Sequence, residues 1–180
     1  MINEKYLGLE PKFREVFDTS IPRGIQLNDF LDSKFYFKLL SSSNPDFKLS
    51  EVRDEFSFFE DKQSMVEFFK SPEFIRFASL VSGYKLTKSE CSLKVFMHGN
   101  YTLAHMKNHG KVLFWFDLTP NWNPALGGVL NFVVAEDRLV VPPAPNSLVL
   151  VDPRFVESYI KCVNVNAGEN GRSMITGFLS

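Results

Sequence analysis

Cysteine, histidine and net charge are all scarce in this 180-residue sequence. The two cysteines, Cys91 and Cys162, have no CxxC spacing and are too few for a disulfide framework or a zinc cluster. We interpret them as small core residues of a protein kept in a reducing compartment. Lysine and arginine number 20 against 21 aspartate and glutamate, a net charge of −1. This balance gives no electrostatic reason to expect nucleic acid or an anionic membrane as a partner.

Long apolar runs are also missing. No stretch approaches the roughly 18 consecutive apolar residues of a membrane-spanning helix. The opening segment, MINEKYLGLEPKFREVF, lacks the apolar core of a signal peptide. We therefore expect a cytoplasmic protein with no membrane partner.

Phenylalanine, in contrast, is abundant. The sequence has 19 phenylalanines and is 44% hydrophobic, which is ample for a sizeable core and argues against disorder. A chain of this length predicts a single domain over residues 1–180.

The apolar pattern has helical spacing up to about residue 88. LNDFLDSKFYFKLLSSS predicts a helix that begins after a capping Asn28, and DKQSMVEFFKS predicts a second. SPEFIRFASLVSGYKL predicts a third, with Ser71 as its cap, a proline at its first position and Gly83 as its stop. The first half should therefore form a helical layer.

From about residue 89 the pattern becomes that of β-strands. Short runs rich in Val, Leu and Phe recur every 8 to 12 residues and are separated by turn signals such as His98-Gly99-Asn100 and Gly127-Gly128. The runs are SLKVFMHG, KVLFWFDLT, GVLNFVVA, RLVVPP, SLVLVD, SYIKCVNV and RSMITGFLS. This spacing predicts a sandwich or jelly-roll core over residues 89–180 and an α+β fold, with the helices packed on one sheet.

The order of several short motifs in the second half is more specific than any one of them. GNYTLAH is followed by VLFWFDLTP, WNP, GGVL, PNSLVL and RSMITGF. In this order and spacing the chain resembles the iron- and 2-oxoglutarate-dependent oxygenases, in their prolyl-hydroxylase-like branch. The resemblance implies a double-stranded β-helix, a cupin-like jelly-roll barrel with a metal near its mouth.

The resemblance also implies which positions hold the cofactors. In that family an HxD pair and a distal histidine bind Fe(II), and a basic residue about ten positions beyond the distal histidine binds 2-oxoglutarate. His105 corresponds to the first ligand, but Lys107 stands where the acid belongs, and a charged ammonium cannot ligate iron. Ile160, or Ser158 in a shifted alignment, stands in place of the distal histidine. Arg172 corresponds to the 2-oxoglutarate clamp.

Two functions therefore have to be compared. The mismatch at two of three iron ligands favours a non-catalytic homologue, a binding or scaffold protein that holds neither Fe(II) nor 2-oxoglutarate tightly. Its partner would be another protein or a small anion bound by Arg172 and Lys107, with His105 as a vestigial or weak metal ligand. The alternative is an active oxidoreductase, a dioxygenase or hydroxylase that uses an unconventional metal site around His105 and both cofactors.

Several interpretations of the polar residues stay open at this point. His105 is either a neutral histidine at a strand end or part of a replacement metal site with His98 and His109. Lys107 is either exposed, a contact for an anion, or the partner of a buried acid such as Asp152 or Glu157.

Arg172 has two interpretations as well, a clamp for an anion or one half of a structural ion pair. Asp117 alternates with Leu113 and Trp115 in an apolar run, so if it faces inward it needs a donor that the sequence does not identify. A tyrosine that often helps to hold 2-oxoglutarate in the family would fall at Phe96, which has no hydroxyl.

Overall fold

A computed structural model describes residues 1–41, 48–52, 55–60, 63–104, 110–154 and 156–180. Within these ranges the chain forms four α-helices and eleven β-strands. The helices are α1 (Glu10–Thr19), α2 (Ser33–Ser41), α3 (Gln63–Lys70) and α4 (Pro72–Ser82). The strands are β1 (Gly24–Leu27), β2 (Lys48–Val52), β3 (Glu55–Glu60), β4 (Ser89–Phe96), β5 (Tyr101–Thr102), β6 (Val112–Asp117), β7 (Leu130–Val134), β8 (Asp137–Val141), β9 (Ser147–Val151), β10 (Glu157–Ile160) and β11 (Arg172–Leu179).

The strands build two antiparallel sheets. The larger has eight strands in the order β1-β9-β6-β11-β4-β3-β2, with β5 added alongside β3, and the smaller has the order β10-β7-β8. Together they form a jelly-roll core, and the predicted α+β fold is confirmed.

The larger sheet separates two hydrophobic cores, and β6 contributes to both. Phe114 and Phe116 belong to the core shared with the helices, where the Phe74 ring of α4 lies 5.1 Å from that of Phe114. Leu113 and Trp115 face the other way, into the core between the two sheets. Because successive side chains of a strand point to opposite faces, this also places Asp117 on the side of the barrel interior.

Helix α4 has the boundaries that its sequence predicts. The Ser71 hydroxyl accepts a hydrogen bond from the Phe74 amide at 3.3 Å, and Pro72 occupies the first turn. Gly83 ends the helix in the left-handed conformation, with φ of 74°, which a glycine adopts without steric cost.

Helix α2 begins later than predicted. The expected cap, Asn28, lies five residues before the first helical residue, and it is Asp32 whose carboxylate accepts the Phe35 amide at 3.0 Å. Phe30 and Leu31 are fully buried but precede the helix. Phe37 lies within the helix and is 63% exposed.

All seven strands expected after residue 88 are present, as β4 and β6 to β11. The first half is less helical than predicted, however, because β1, β2 and β3 precede residue 88 and join the larger sheet. In the described part of the chain, no helix combines the length and the apolar character needed to cross a bilayer.

Candidate functional site

Arg172 is the predicted site residue whose surroundings the structure describes. It begins β11 and is only 3% exposed, on the same strand face as Met174 in the core between the sheets. His105 and Lys107 fall in residues 105–109, outside the described residues, so their proposed contacts with a metal and an anion stay predictions, as does any role for His109. His98 is exposed in the turn after β4.

The guanidinium of Arg172 forms a buried ion pair with Asp117. Arg172 Nη2 donates to Asp117 Oδ2 at 2.6 Å, and the two side chains are 4% and 5% exposed. Asp117 lies opposite Met174 in the register of β6 and β11, so Arg172 is its diagonal neighbour across the two strands. The donor that Asp117 was expected to need is therefore Arg172.

Backbone groups complete the surroundings of this pair. Arg172 Nη1 donates to the carbonyl oxygen of Gly128, and the Thr119 amide donates to Asp117 Oδ1 at 3.0 Å. Arg172 Nε is buried and has no hydrogen-bond partner among the described residues. The contacts fix the orientation of both side chains and leave Nε as a buried guanidinium nitrogen without a partner among the described residues.

The carboxylate of Asp117 and the guanidinium of Arg172 are both shielded from water. Burial raises the pKa of Asp117, and the guanidinium of Arg172 and the Thr119 amide oppose that rise. A buried carboxylate is costly unless a counter-charge and hydrogen bonds compensate it. Each member of the pair is thus what makes burial of the other tolerable.

The cavity that described residues line beside Arg172 is small. A cavity of about 10 Å³ lies between the pair and Trp115, Ser147 and Met174, which is room for about one water molecule. A second cavity of about 10 Å³ lies between Thr102 and Ser158. Neither could hold a dicarboxylate.

Strand β10 supplies the positions that the resemblance assigns to the distal iron ligand. Ser158 and Ile160 alternate inward on this strand and are both 3% exposed. Ile160 packs in the core between the sheets, and its amide donates to Thr102 Oγ1 at 2.7 Å. Phe96, at the position expected for a tyrosine, packs in the same core and is 1% exposed.

The described residues include only part of the cofactor site that the resemblance implies. Among residues 1–41, 48–52, 55–60, 63–104, 110–154 and 156–180, no group of three or more His, Cys, Asp or Glu side chains is arranged to hold a metal ion. For 2-oxoglutarate, the basic residue expected to bind its carboxylate is already bound to a carboxylate of the same chain.

Sequence reasoning identified both Arg172 and Asp117 but did not pair them. It also missed the contribution of Gly128, whose carbonyl accepts from Arg172. The available signal was Asp117 itself, an acid within an apolar strand that needs a donor if it is buried. Finding its partner required the register of β6 against β11, which the apolar pattern does not specify.

A second charged cluster lies just after β9. Asp117 is opposite the first residue of this strand, so the two clusters are at its opposite ends. Asp152 is 3% exposed and accepts hydrogen bonds from Tyr84 Oη at 2.5 Å and from Arg154 Nη2 at 2.8 Å, while Arg23 Nη1 lies 3.3 Å away. Burial raises the pKa of Asp152, but the hydrogen bonds from Arg154 and Tyr84 outweigh it and lower the pKa to about 2. Three donors thus already surround one of the acids considered as a partner for Lys107.

Comparison with known proteins gives matches of structure but not of sequence. No protein-family model matches this sequence, and no curated protein does. The fold is similar to that of a prolyl-4-hydroxylase from Pseudomonas putida, with a TM-score of 0.73 and 14% identity, covering 93% of this chain and 97% of that one.

Two further solved structures are similar over almost the whole chain. A prolyl hydroxylase from Trichoplax adhaerens, in complex with a peptide fragment of the hypoxia inducible factor oxygen degradation domain, has a TM-score of 0.76 and 16% identity, covering 98% of this chain and 93% of that one. An oxidoreductase of the 2OG-Fe(II) oxygenase family from Burkholderia pseudomallei has a TM-score of 0.70 and 12% identity, covering 100% and 92%. The resemblance inferred from the ordered motifs is therefore confirmed at the level of the fold.

Proposed function

We propose that this chain uses the 2-oxoglutarate oxygenase fold without oxygenase chemistry, as a non-catalytic binding or scaffold protein. The observation that carries the proposal is the buried ion pair of Arg172 and Asp117. A clamp for 2-oxoglutarate has to offer its positive charge to an incoming carboxylate, and here that charge is compensated within the chain.

The residues at the proposed metal position support the same conclusion. One imidazole, that of His105, gives a divalent cation too few ligands to compete with water and buffer. Ser158 and Ile160 face the barrel interior where the distal histidine would be expected, and neither side chain can replace an imidazole on iron. Lys107 adds an ammonium, which is not a metal ligand while it is charged.

Succinate formation from 2-oxoglutarate tests this proposal. The purified protein is incubated under air with Fe(II) and ascorbate, and its iron content is measured in parallel. We expect less than stoichiometric iron and no succinate above the level of a protein-free blank, while a prolyl hydroxylase assayed alongside gives product.

His105→Ala is the control variant, because it removes the one family ligand that the sequence retains. Stoichiometric iron in the wild-type protein, together with succinate formation that disappears in His105→Ala, would contradict the proposal. That result would instead establish an active oxidoreductase with an unconventional metal site around His105.

A further inference from the structure

We propose that Asp117 is a built-in carboxylate ligand of Arg172, and that the position it fills is a binding site for a small monocarboxylate once the Asp117 side chain is removed. In the native chain Asp117 then acts as an internal competitor that excludes carboxylates from the barrel. This inference rests on the proposed function, because it gives a reason why a barrel that holds a basic residue would bind no cosubstrate.

The geometry of the pair is that of a ligand in a receptor. Arg172 Nη2 meets Asp117 Oδ2 at 2.6 Å, and Nη1 is turned to the carbonyl oxygen of Gly128. The second carboxylate oxygen accepts the Thr119 amide at 3.0 Å. The carboxylate thus has one charged donor, Arg172, and backbone donors from Thr119 and Ala144, and all of these remain in the chain if only its side chain is removed.

The surroundings limit the size of what can bind. The cavity beside the pair has room for about one water molecule. Replacing Asp117 by alanine adds the volume of a carboxylate group, and the sum fits formate or acetate but not a five-carbon dicarboxylate. The buried Nε of Arg172, which has no partner among the described residues, offers a further donor to such an anion.

The pair also explains why the wild-type protein should ignore the same anions. An external carboxylate that replaced Asp117 on Arg172 Nη2 would leave the Asp117 carboxylate buried without a counter-charge. Asp117 and Arg172 are held on neighbouring strands, so their contact costs no translational freedom. An external carboxylate, in contrast, loses translational and rotational freedom when it binds.

Chemical rescue by formate tests the inference. The thermal midpoint of Asp117→Ala is measured in rising sodium formate, with sodium chloride keeping the ionic strength constant. We expect a midpoint rise of about 3 to 6 °C at roughly tenfold excess of formate over its dissociation constant, because a ligand of the folded state alone stabilises it. The wild-type protein and Asp137→Ala, which loses an exposed carboxylate on β8, should show no such rise.

Two controls separate a carboxylate site from a general filling of space. Formamide has the shape of formate without its charge and should not rescue Asp117→Ala. The double variant Asp117→Ala/Arg172→Met should not respond to formate, since the receptor is gone. Equal rescue by formamide, or rescue that survives the loss of Arg172, would overturn the inference.

If Asp117→Ala does not fold, a refolding measurement replaces the thermal one. In that case the yield of soluble Asp117→Ala on refolding is compared in formate and in chloride, and an equal yield in the two salts would contradict the inference. Failure here is distinguishable from failure of the proposed function. Succinate formation by the wild-type protein would overturn the proposed function, whereas absence of rescue would overturn only the role of Asp117.

Discussion

Asn146 lies in the turn before β9 and joins the first half of the chain to the larger sheet. Its side chain is 6% exposed, accepts the Leu31 amide at 2.9 Å and donates to the Leu31 carbonyl oxygen at 2.8 Å. Its backbone has a φ of 56°, in the left-handed region that asparagine tolerates better than most residues. The side-chain amide of Asn146 thus satisfies both backbone polar groups of Leu31, while the backbone of Asn146 turns the chain.

We predict that Asn146→Ala lowers the free energy of unfolding by about 3 kcal/mol, from two lost buried hydrogen bonds and the cost of the left-handed backbone. Asn121→Ala is the matched control, because Asn121 has a φ of 55° but is exposed, and it should cost only about 1 kcal/mol. Denaturant unfolding monitored by circular dichroism measures both. Equal losses would mean that the contacts with Leu31 contribute nothing.

At the scale of elements, the sequence predicts those with a clear local signal, a cap or an apolar run between turns. The boundaries of α4 follow from Ser71 and Gly83, and the strands after residue 88 follow from apolar runs between turns. Helix α2 was misplaced because Asn28 and Asp32 are both plausible caps and only the folded chain selects Asp32. Of the missed strands, β1 has four residues and pairs with β9, and β5 has two residues and pairs with β3, so both depend on partners distant in sequence. Strands β2 and β3, in contrast, pair with each other in a hairpin.

The site was harder to predict than the fold for the same reason. Arg172 and Asp117 are 55 residues apart in the sequence, and their contact depends on strand order and register. The motif order assigned Arg172 to an anion site, and a structural ion pair was the other interpretation, but nothing in the sequence identified Asp117 as the partner. Pairing between distant strands is a property of the whole sheet, so no local pattern encodes it.

The cap of α4 provides a prediction at this scale. Ser71→Ala should lower the free energy of unfolding by about 1 kcal/mol, because the Phe74 amide loses its acceptor. Ser71→Asp retains an accepting oxygen and places a negative charge at the helix N-terminus, so its stability should equal or exceed that of the wild-type protein. If Ser71→Asp were as unstable as Ser71→Ala, the hydroxyl would not act as a cap.

For the molecule as a whole, the cluster around Asp152 ties the helices to the sheet. Arg23 precedes β1, Tyr84 follows α4, and both contact the carboxylate of Asp152 at the end of β9. The Arg23 guanidinium also pairs with Asp18 of α1. Three segments distant in sequence therefore meet at one carboxylate.

This arrangement predicts how stability depends on pH. The pKa of Asp152 is lowered from 3.8 to about 2 in the folded protein, so its contribution is present above pH of about 4 and is lost as the pH falls toward 2. Allowing for solvent screening, the contribution should be about 1–2 kcal/mol. Asp152→Asn should lower the free energy of unfolding by that amount at neutral pH. The variant should then lose less stability than the wild-type protein between pH 4 and 2.

Thermal unfolding across this pH range, with Asp137→Asn as the control, checks the prediction. Asp137 is an exposed carboxylate at the β7–β8 hairpin, so its replacement should leave the acid limb of the profile unchanged. A profile of Asp152→Asn that runs parallel to that of the wild-type protein would contradict the assigned role of Asp152.

The position of β11 has a consequence for how the chain is made. It is the last strand in chain order, yet it lies between β6 and β4, and among the described strands no other pairing links β1, β9 and β6 to β4, β3 and β2. Until residues 172–179 have been made and have paired, the larger sheet can therefore consist at most of two half-sheets, with open edges at β6 and β4. Arg172 emerges with that segment, so Asp117 stays without its counter-charge until the sheet closes.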